Sequence, residues 1–87
     1  MHEASVMADL MRRIDEVART ENARKVVGVS VWLGAFSHMS AAHFTEHFEQ
    51  AARGTAAEGA RLDITVSDDI AHPDAERVML RDLQVEV

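Results

Sequence analysis

A change in hydrophobic period at residues 25–33 constrains this chain more than any other feature. Apolar residues recur there at every second position, which is the period of a β-strand. One parity is strongly apolar and consists of Val27, Val29, Val31 and Leu33, and the other consists of Val26, Gly28, Ser30 and Trp32. We therefore expect a strand with one buried face, in which Gly28 and Gly34 mark a bulge or close approach and the strand end.

The single tryptophan, Trp32, belongs to the less apolar parity of this strand. It is interpreted either as partial cover of the second sheet face or as an interaction patch. Of the two interpretations, partial cover is favoured.

Segments with helical period lie on both sides of the strand. Residues 5–19 are expected to form a helix capped by Ser5, with an apolar stripe of Met7, Leu10, Met11, Ile14, Val17 and Ala18. Residues 41–53 are expected to form a second helix that Ser40 caps and Gly54 ends, with a stripe of Phe44, Phe48, Ala51 and Ala52.

Two further strands follow, joined by the polar residues 68–76. Residues 60–67 place Leu62, Ile64 and Val66 inward and Arg61, Asp63 and Thr65 outward. In residues 77–87 the apolar parity changes near Arg81. Either Arg81 points inward and is paired, or a bulge at Arg81–Asp82 switches the register.

The order α-β-α-β-β predicts a single α/β (α+β two-layer) domain over residues 1–87. Two helices are expected to pack on one face of a three-stranded mixed sheet. The helix between the first two strands is expected to form a right-handed crossover. The last two strands, joined by a nine-residue loop, are expected to be antiparallel.

Composition narrows the function classes. The 87 residues contain no cysteine, which excludes disulfides, thiolate metal sites and cysteine nucleophiles. A formal charge of −6 argues against a nucleic-acid surface, which needs a basic stripe. No apolar run is long enough for a membrane helix, and charged residues interrupt the N-terminal segment. We therefore expect a cytoplasmic protein without nucleic-acid or membrane contacts.

The first residues, Met1, His2 and Glu3, offer a candidate metal site. The α-amine of Met1, the backbone nitrogen of His2 and the imidazole Nδ1 of His2 can bind one ion through two fused chelate rings. Such binding forces a planar arrangement of nitrogen donors, which is the geometry that Ni(II) and Cu(II) favour. A frayed, solvated terminus is the alternative interpretation.

A second candidate is the pair His43 and His47, which lie four residues apart on one helical face beside Glu46. That spacing can chelate a divalent ion, and His38 could join the pair. It is not an H-E-x-x-H motif, and exposed helix histidines are the favoured interpretation. Residues 68–76 lack the register of a calcium loop and are interpreted as a solvated acidic connection.

Motifs for catalysis are missing from the sequence. It has no nucleophile elbow and no glycine-rich phosphate loop before a lysine. The chain is therefore not expected to be an enzyme.

Four segments carry a family resemblance. They are the opening MHEASVM, the strand and turn VVGVSVWLGAFS, the most specific stretch GTAAEGARL at residues 54–62, and the closing ERVMLRDLQVEV. Together they resemble the HypA/HybF family of hydrogenase and urease nickel-insertion accessory proteins over nearly the whole chain.

This resemblance implies a nickel metallochaperone that carries Ni(II) for a nickel enzyme. The nickel ligands of the family are the N-terminal amine, the side chain of the second residue and the first backbone nitrogens. By match they fall on Met1, His2 and Glu3. The implied partners are the large subunit of a NiFe hydrogenase, or urease, and a maturation GTPase. A homodimer is an additional expectation.

The chain departs from the family in one large respect. The family carries two C-x-x-C pairs that hold a structural zinc between the second and last strands, and this chain has no cysteine. Residues 68–76 stand at that place, so the zinc module is expected to be replaced by a short loop, with no structural zinc. The alternative function is a metal-free interaction module that binds a maturation partner through Trp32 and the uncovered sheet face, or that self-associates.

Overall fold

The computed structural model describes residues 3–87, with side chains from Ala4 onwards. The elements follow the predicted order: α1 (Glu3–Thr20), β1 (Lys25–Leu33), α2 (Ala41–Ala52), β2 (Arg61–Val66) and β3 (Val78–Glu86). Both helices pack on one face of a three-stranded sheet, which confirms the predicted two-layer architecture. Neither of these two helices is long and apolar enough to cross a membrane.

The central strand of the sheet is β1, because the strand order is β2-β1-β3. It pairs in parallel with β2 and antiparallel with β3. The last two strands therefore run in opposite directions, as expected, but they do not pair, since β1 lies between them. The central position suits β1 because most of its residues are buried.

The hydrophobic core lies between the helices and the sheet. Phe44 and Phe48 of α2 are fully buried, as is Leu33 at the end of β1. The predicted stripe of α1 supplies four further buried residues: Met7, Leu10, Ile14 and Ala18. Val17, at the margin of that stripe, is exposed.

A β-bulge in β1 changes which of its residues face the core. Val26 pairs with Val85 and Gly28 pairs with Gln84, so Val27 is the extra residue. The extra residue reverses the side-chain alternation before it. Val26 is consequently buried in the core, whereas Val27, predicted to face the core, is only half-buried.

A second bulge lies in β3. Asp82 and Leu80 pair with Ser30 and Val31, two consecutive residues of β1. Arg81 is therefore the extra residue, and it is exposed. Of the two sequence-based alternatives, the bulge at Arg81–Asp82 is therefore correct, and an inward-pointing Arg81 is wrong.

Two glycines lie where another backbone or side chain comes close, as predicted. A Cβ on Gly28 would lie 2.7 Å from Oε1 of Gln84 on the neighbouring strand. Gly34 directly follows β1, and a Cβ there would lie 2.2 Å from the carbonyl oxygen of Ala75. The second contact brings the connection between β2 and β3 against the end of β1.

The ends of the elements agree with prediction at one helix and differ elsewhere. Ser40 caps α2, because its Oγ accepts a hydrogen bond of 3.1 Å from the backbone N–H of His43. Ser5 is not the cap of α1, since the helix begins two residues earlier and Glu3 and Ala4 favour helix. Val66, expected to point inward, is exposed as the last residue of an outer strand.

Candidate metal centre

The predicted nickel site at Met1, His2 and the side chain of Glu3 lies outside the described residues. The structure does describe α1, the helix to which these residues are attached. Glu3 is the first residue of α1 that the structure describes, and it directly follows the two candidate chelating residues in sequence. The first four N–H groups of a helix have no acceptor within it. The backbone nitrogen of Glu3 can therefore bind a metal without breaking a helical hydrogen bond.

Two loops surround the beginning of α1. Val6 lines a cleft together with residues 36–39, which lead into α2, and with residues 76–78, which lead into β3. The backbone N–H of Phe36 donates to the carbonyl of Ala75 at 2.6 Å, and that of Gly34 donates to the carbonyl of Arg77 at 2.9 Å. These two hydrogen bonds join the loops to each other at the end of the molecule where Val6 lies.

The two helices begin at the same end of the molecule and run in the same direction. Val6, near the start of α1, lies beside Met39, which precedes α2. Ala18, near the end of α1, lies beside residues 55–57, which follow α2. The segment that precedes α2 is therefore next to the first turn of α1.

His43 and His47 project from the first two turns of α2 and contact each other. Their Nε2 atoms are 2.8 Å apart, and their ring centroids are 4.5 Å apart. His43 is exposed and His47 is half-buried. The predicted proximity of the pair is confirmed. The favoured interpretation, exposed helix histidines, is correct for His43 and wrong for His47, which is half-buried.

Neither Glu46 nor His38 extends this pair into a larger cluster. Across the part of the chain that the structure describes, no three His, Cys, Asp or Glu side chains are placed to hold one metal ion. His38 lies in the loop before α2 with a positive φ of 62° and is exposed. Among the described residues, His43 and His47 are the metal-ligating side chains that the fold brings into contact.

The connection between β2 and β3 covers Trp32. The indole and the His72 ring have centroids 4.8 Å apart, and only 8% of Trp32 is exposed. Nδ1 of His72 accepts a hydrogen bond of 2.9 Å from the backbone N–H of Asp74, which fixes the ring. Partial cover is the correct interpretation of Trp32. An interaction patch centred on it is wrong. No pattern in the sequence indicates that His72 would lie on the indole.

Two carboxylates of residues 68–76 stabilise the connection itself through local contacts. Oδ1 of Asp69 accepts from the backbone N–H of Ala71 at 3.0 Å, and Asp74 forms an ion pair of 3.3 Å with Arg77. Asp68 and Glu76 are exposed. The interpretation of residues 68–76 as a solvated acidic connection agrees with this arrangement.

A family model described as hydrogenase/urease nickel incorporation, metallochaperone, hypA matches residues 1–72. The chain belongs to the HypA family. A hydrogenase maturation factor HypA of Klebsiella pneumoniae is 41% identical over 64 residues, which cover 74% of this chain and 56% of that relative. One of Methylocella silvestris is 33% identical over 66 residues, covering 76% and 58%. The chain thus matches a little over half the length of these HypA relatives.

Two solved HypA structures have the same fold. The solution structure of the Ni metallochaperone HypA from Helicobacter pylori superposes with a TM-score of 0.81 at 23% identity, covering 99% of this chain and 98% of that one. A second HypA solution structure gives a TM-score of 0.74 at 24% identity, covering 98% and 96%. At these identities the likeness concerns the fold.

Proposed function

We propose that this protein binds Ni(II) at its N-terminus and delivers it during the maturation of a nickel enzyme, a hydrogenase or urease. One observation carries the proposal: the match to the HypA family begins at residue 1 and so includes Met1, His2 and Glu3. These residues contain the amine, imidazole and backbone nitrogens that suit a planar Ni(II) ion. The function is transfer of the ion, not catalysis.

The start of α1 supports this assignment. A metal bound through the backbone nitrogen of Glu3 needs that nitrogen outside the helical hydrogen-bond ladder, and the first four residues of a helix meet this condition. The helix itself is anchored, because Met7 and Leu10 are buried in the core. The donors are therefore attached to a fixed element. The net charge of −6 also favours a cationic ligand.

We also propose that residues 68–76 replace the zinc module of the family, so that residues 1–87 form one domain without structural zinc. The hydrogen bond from the N–H of Ser67 to the carbonyl of Leu33, 2.9 Å long, supports this proposal at the beginning of the connection. The bond from the N–H of Gly34 to the carbonyl of Arg77 supports it at the end. The connection is thus held by the protein's own backbone.

The proposed partners follow from the proposed function. They are the large subunit of the nickel enzyme and a maturation GTPase, and the proposed location is the cytoplasm. A homodimer stays a prediction. The alternative, a metal-free interaction module, loses its binding surface at Trp32 because the indole is covered.

Nickel titration tests the proposal. Ni(II) is added to protein with its native terminus, to the His2→Ala variant and to protein with two extra residues before Met1. A planar, diamagnetic absorption band is expected only in the first sample, because the other two lack the imidazole or the terminal amine of the chelate. Binding should weaken as the pH falls, since the donors must lose protons.

The matched control is His38→Ala, which removes a histidine from an exposed loop. This variant should keep the planar band. An equal band in the His2→Ala variant would contradict the proposed site.

A further inference from the structure

The outer strand β2 has one edge that pairs with no other strand of the described residues. The strand order β2-β1-β3 leaves β2 bonded to β1 on one side only. Its pairing with β1 is continuous over residues 61–66, whereas the other outer strand, β3, is interrupted by a bulge. A regular, unpaired strand edge is a template for a further strand.

One hydrogen bond shows which residues of β2 point their backbone groups outward. The N–H of Ser67 donates to the carbonyl of Leu33 at 2.9 Å, so the backbone of Ser67 faces β1. Along a strand, the N–H and C=O groups of successive residues face opposite sides. The odd-numbered residues of β2 therefore face β1. The backbone groups of Leu62, Ile64 and Val66 face the free edge.

The same three residues carry the apolar side chains of β2. Leu62 and Ile64 are half-buried and pack against the core, while Val66, the next residue of the same parity, is 55% exposed. The alternate residues of the strand are polar and exposed. A strand added at the free edge would extend the apolar face of the sheet and cover Val66.

A second copy of β2 fits this edge. When two copies pair antiparallel about a twofold axis at Ile64, Ile64 lies opposite itself and Leu62 lies opposite Val66. All three residues have outward backbone groups, so each of these pairs exchanges two hydrogen bonds. Asp63 then lies opposite Thr65, whose hydroxyl can donate to the carboxylate.

The neighbouring registers fit less well. A shift by two residues in one direction places Asp63 opposite Asp63, and like charges directly opposite are destabilising. A shift in the other direction places Leu62 opposite Asp68, which lies beyond the end of the strand. The register centred on Ile64 instead brings Arg61 of one copy near the exposed Asp68 of the other. Charge and apolar contacts thus favour the same pairing.

We infer that β2 is a homodimer interface, in which the outer strands of two copies pair antiparallel and join the two sheets into one. A single short strand from each copy buries less than the standard interface of about 800 Å² per partner, so the dimer is weak and reversible. Each copy has a charge of −6, and added salt should strengthen the dimer by screening this repulsion. The inference is independent of the proposed nickel function.

Analytical ultracentrifugation of the full chain tests the interface. In buffered sodium chloride, the average mass should rise towards that of a dimer between about 10 μM and about 1 mM protein. Val66→Asp should weaken the dimer at least about tenfold, because it places an unpaired carboxylate opposite Leu62 twice in a twofold interface.

The matched control is Ile70→Asp. Ile70 is 68% exposed in the connection between β2 and β3, so it undergoes the same change of side chain away from the proposed interface. This variant should associate like the unchanged protein. Both substitutions are at exposed positions, so both variants should stay folded, which far-UV circular dichroism checks.

Disulfide formation tests the register, because the chain has no cysteine of its own. Asp63→Cys and Thr65→Cys are prepared as separate variants at exposed positions. In the proposed register these two positions lie opposite each other as a pair without hydrogen bonds, with Cα atoms about 4.5 Å apart, which suits a disulfide. Mild oxidation of an equal mixture should therefore give a covalent dimer on a non-reducing gel, and either variant alone should give much less.

Three results would overturn the inference. The first is a strict monomer over the whole concentration range, and the second is unchanged association of the Val66→Asp variant. The third is cross-linking of Asp63→Cys with itself as efficiently as in the mixture, which would show a different pairing of the strands.

Discussion

The two faces of the sheet are covered in different ways. On the helix-covered face, Leu33 and its neighbours on β1 contact two helices and are completely buried. On the opposite face, Trp32 is covered by the ring of His72. Further along this face, a hydrogen bond of 2.7 Å from Arg61 to Gln84 spans β1 at Gly28.

The two faces of the central strand β1 are therefore stabilised in different ways. The helix-covered face depends on filling volume with apolar side chains, because large aliphatic and aromatic groups meet there. The loop-covered face depends on close backbone approach at Gly34 and on one ring contact at Trp32. Substitutions on the two faces should therefore differ in both size and spectroscopic signature.

The largest effect is expected from Phe44→Ala on the helix-covered face. Phe44 is 0% exposed, and deleting such a ring costs about 3–5 kcal/mol in the free energy of unfolding. That is a large share of the stability of a small domain. Denaturant unfolding measures the change.

Val66→Ala is the control for Phe44→Ala, since Val66 is 55% exposed and should change the free energy by less than about 0.5 kcal/mol. A similar cost for both variants would mean that the helix-covered face is not the main core.

An intermediate effect is expected from Gly34→Ala on the loop-covered face. The new Cβ would collide with the backbone of Ala75, so the loop must move, at a cost of about 2–3 kcal/mol. Fluorescence of Trp32 should shift to longer wavelength as its cover loosens.

Gly28→Ala provides the matched comparison for Gly34→Ala. Its Cβ would meet Oε1 of Gln84, the end of an exposed side chain that can rotate away with loss of its hydrogen bond from Arg61, so the cost should be about 1 kcal/mol with no spectral shift. Equal costs for the two glycine variants would show that the loop yields as easily as a side chain.

The smallest effect is expected from His72→Ala. This change removes the ring that lies on Trp32, and aromatic ring contacts of this kind contribute about 0.5–1.5 kcal/mol. Unfolding followed by tryptophan fluorescence should show a modest loss of stability and a red-shifted native spectrum. An unchanged native spectrum would mean that other atoms of the loop shield the indole.

The sequence predicted the elements and their order because their hydrophobic periods are clear. The parity that it predicts to face the core is wrong at the beginning of β1. A bulge reverses the alternation there, and Gly28 indicates a bulge without indicating which neighbour is the extra residue. The sequence does not predict the strand order, because that order depends on contacts distant in sequence.

The candidate site was predictable in part. The spacing of His43 and His47 placed both rings on one flank of a helix, as the structure shows. Their 2.8 Å separation depends on rotamers and tertiary packing, which spacing does not encode. The ring of His72 reaches Trp32 from a loop, where no periodic pattern operates.

The bulge at Arg81 has a consequence for how this protein behaves at high concentration. As an outer strand, β3 presents a row of backbone groups that could pair with a strand of another molecule. The extra residue interrupts that row near its middle, and it places two exposed charged side chains, Arg81 and Asp82, at the interruption. Irregular and charged strand edges resist aggregation. The bulge that switches the alternation of β3 and leaves Arg81 exposed therefore also protects the outer edge of the strand against fibrous assembly.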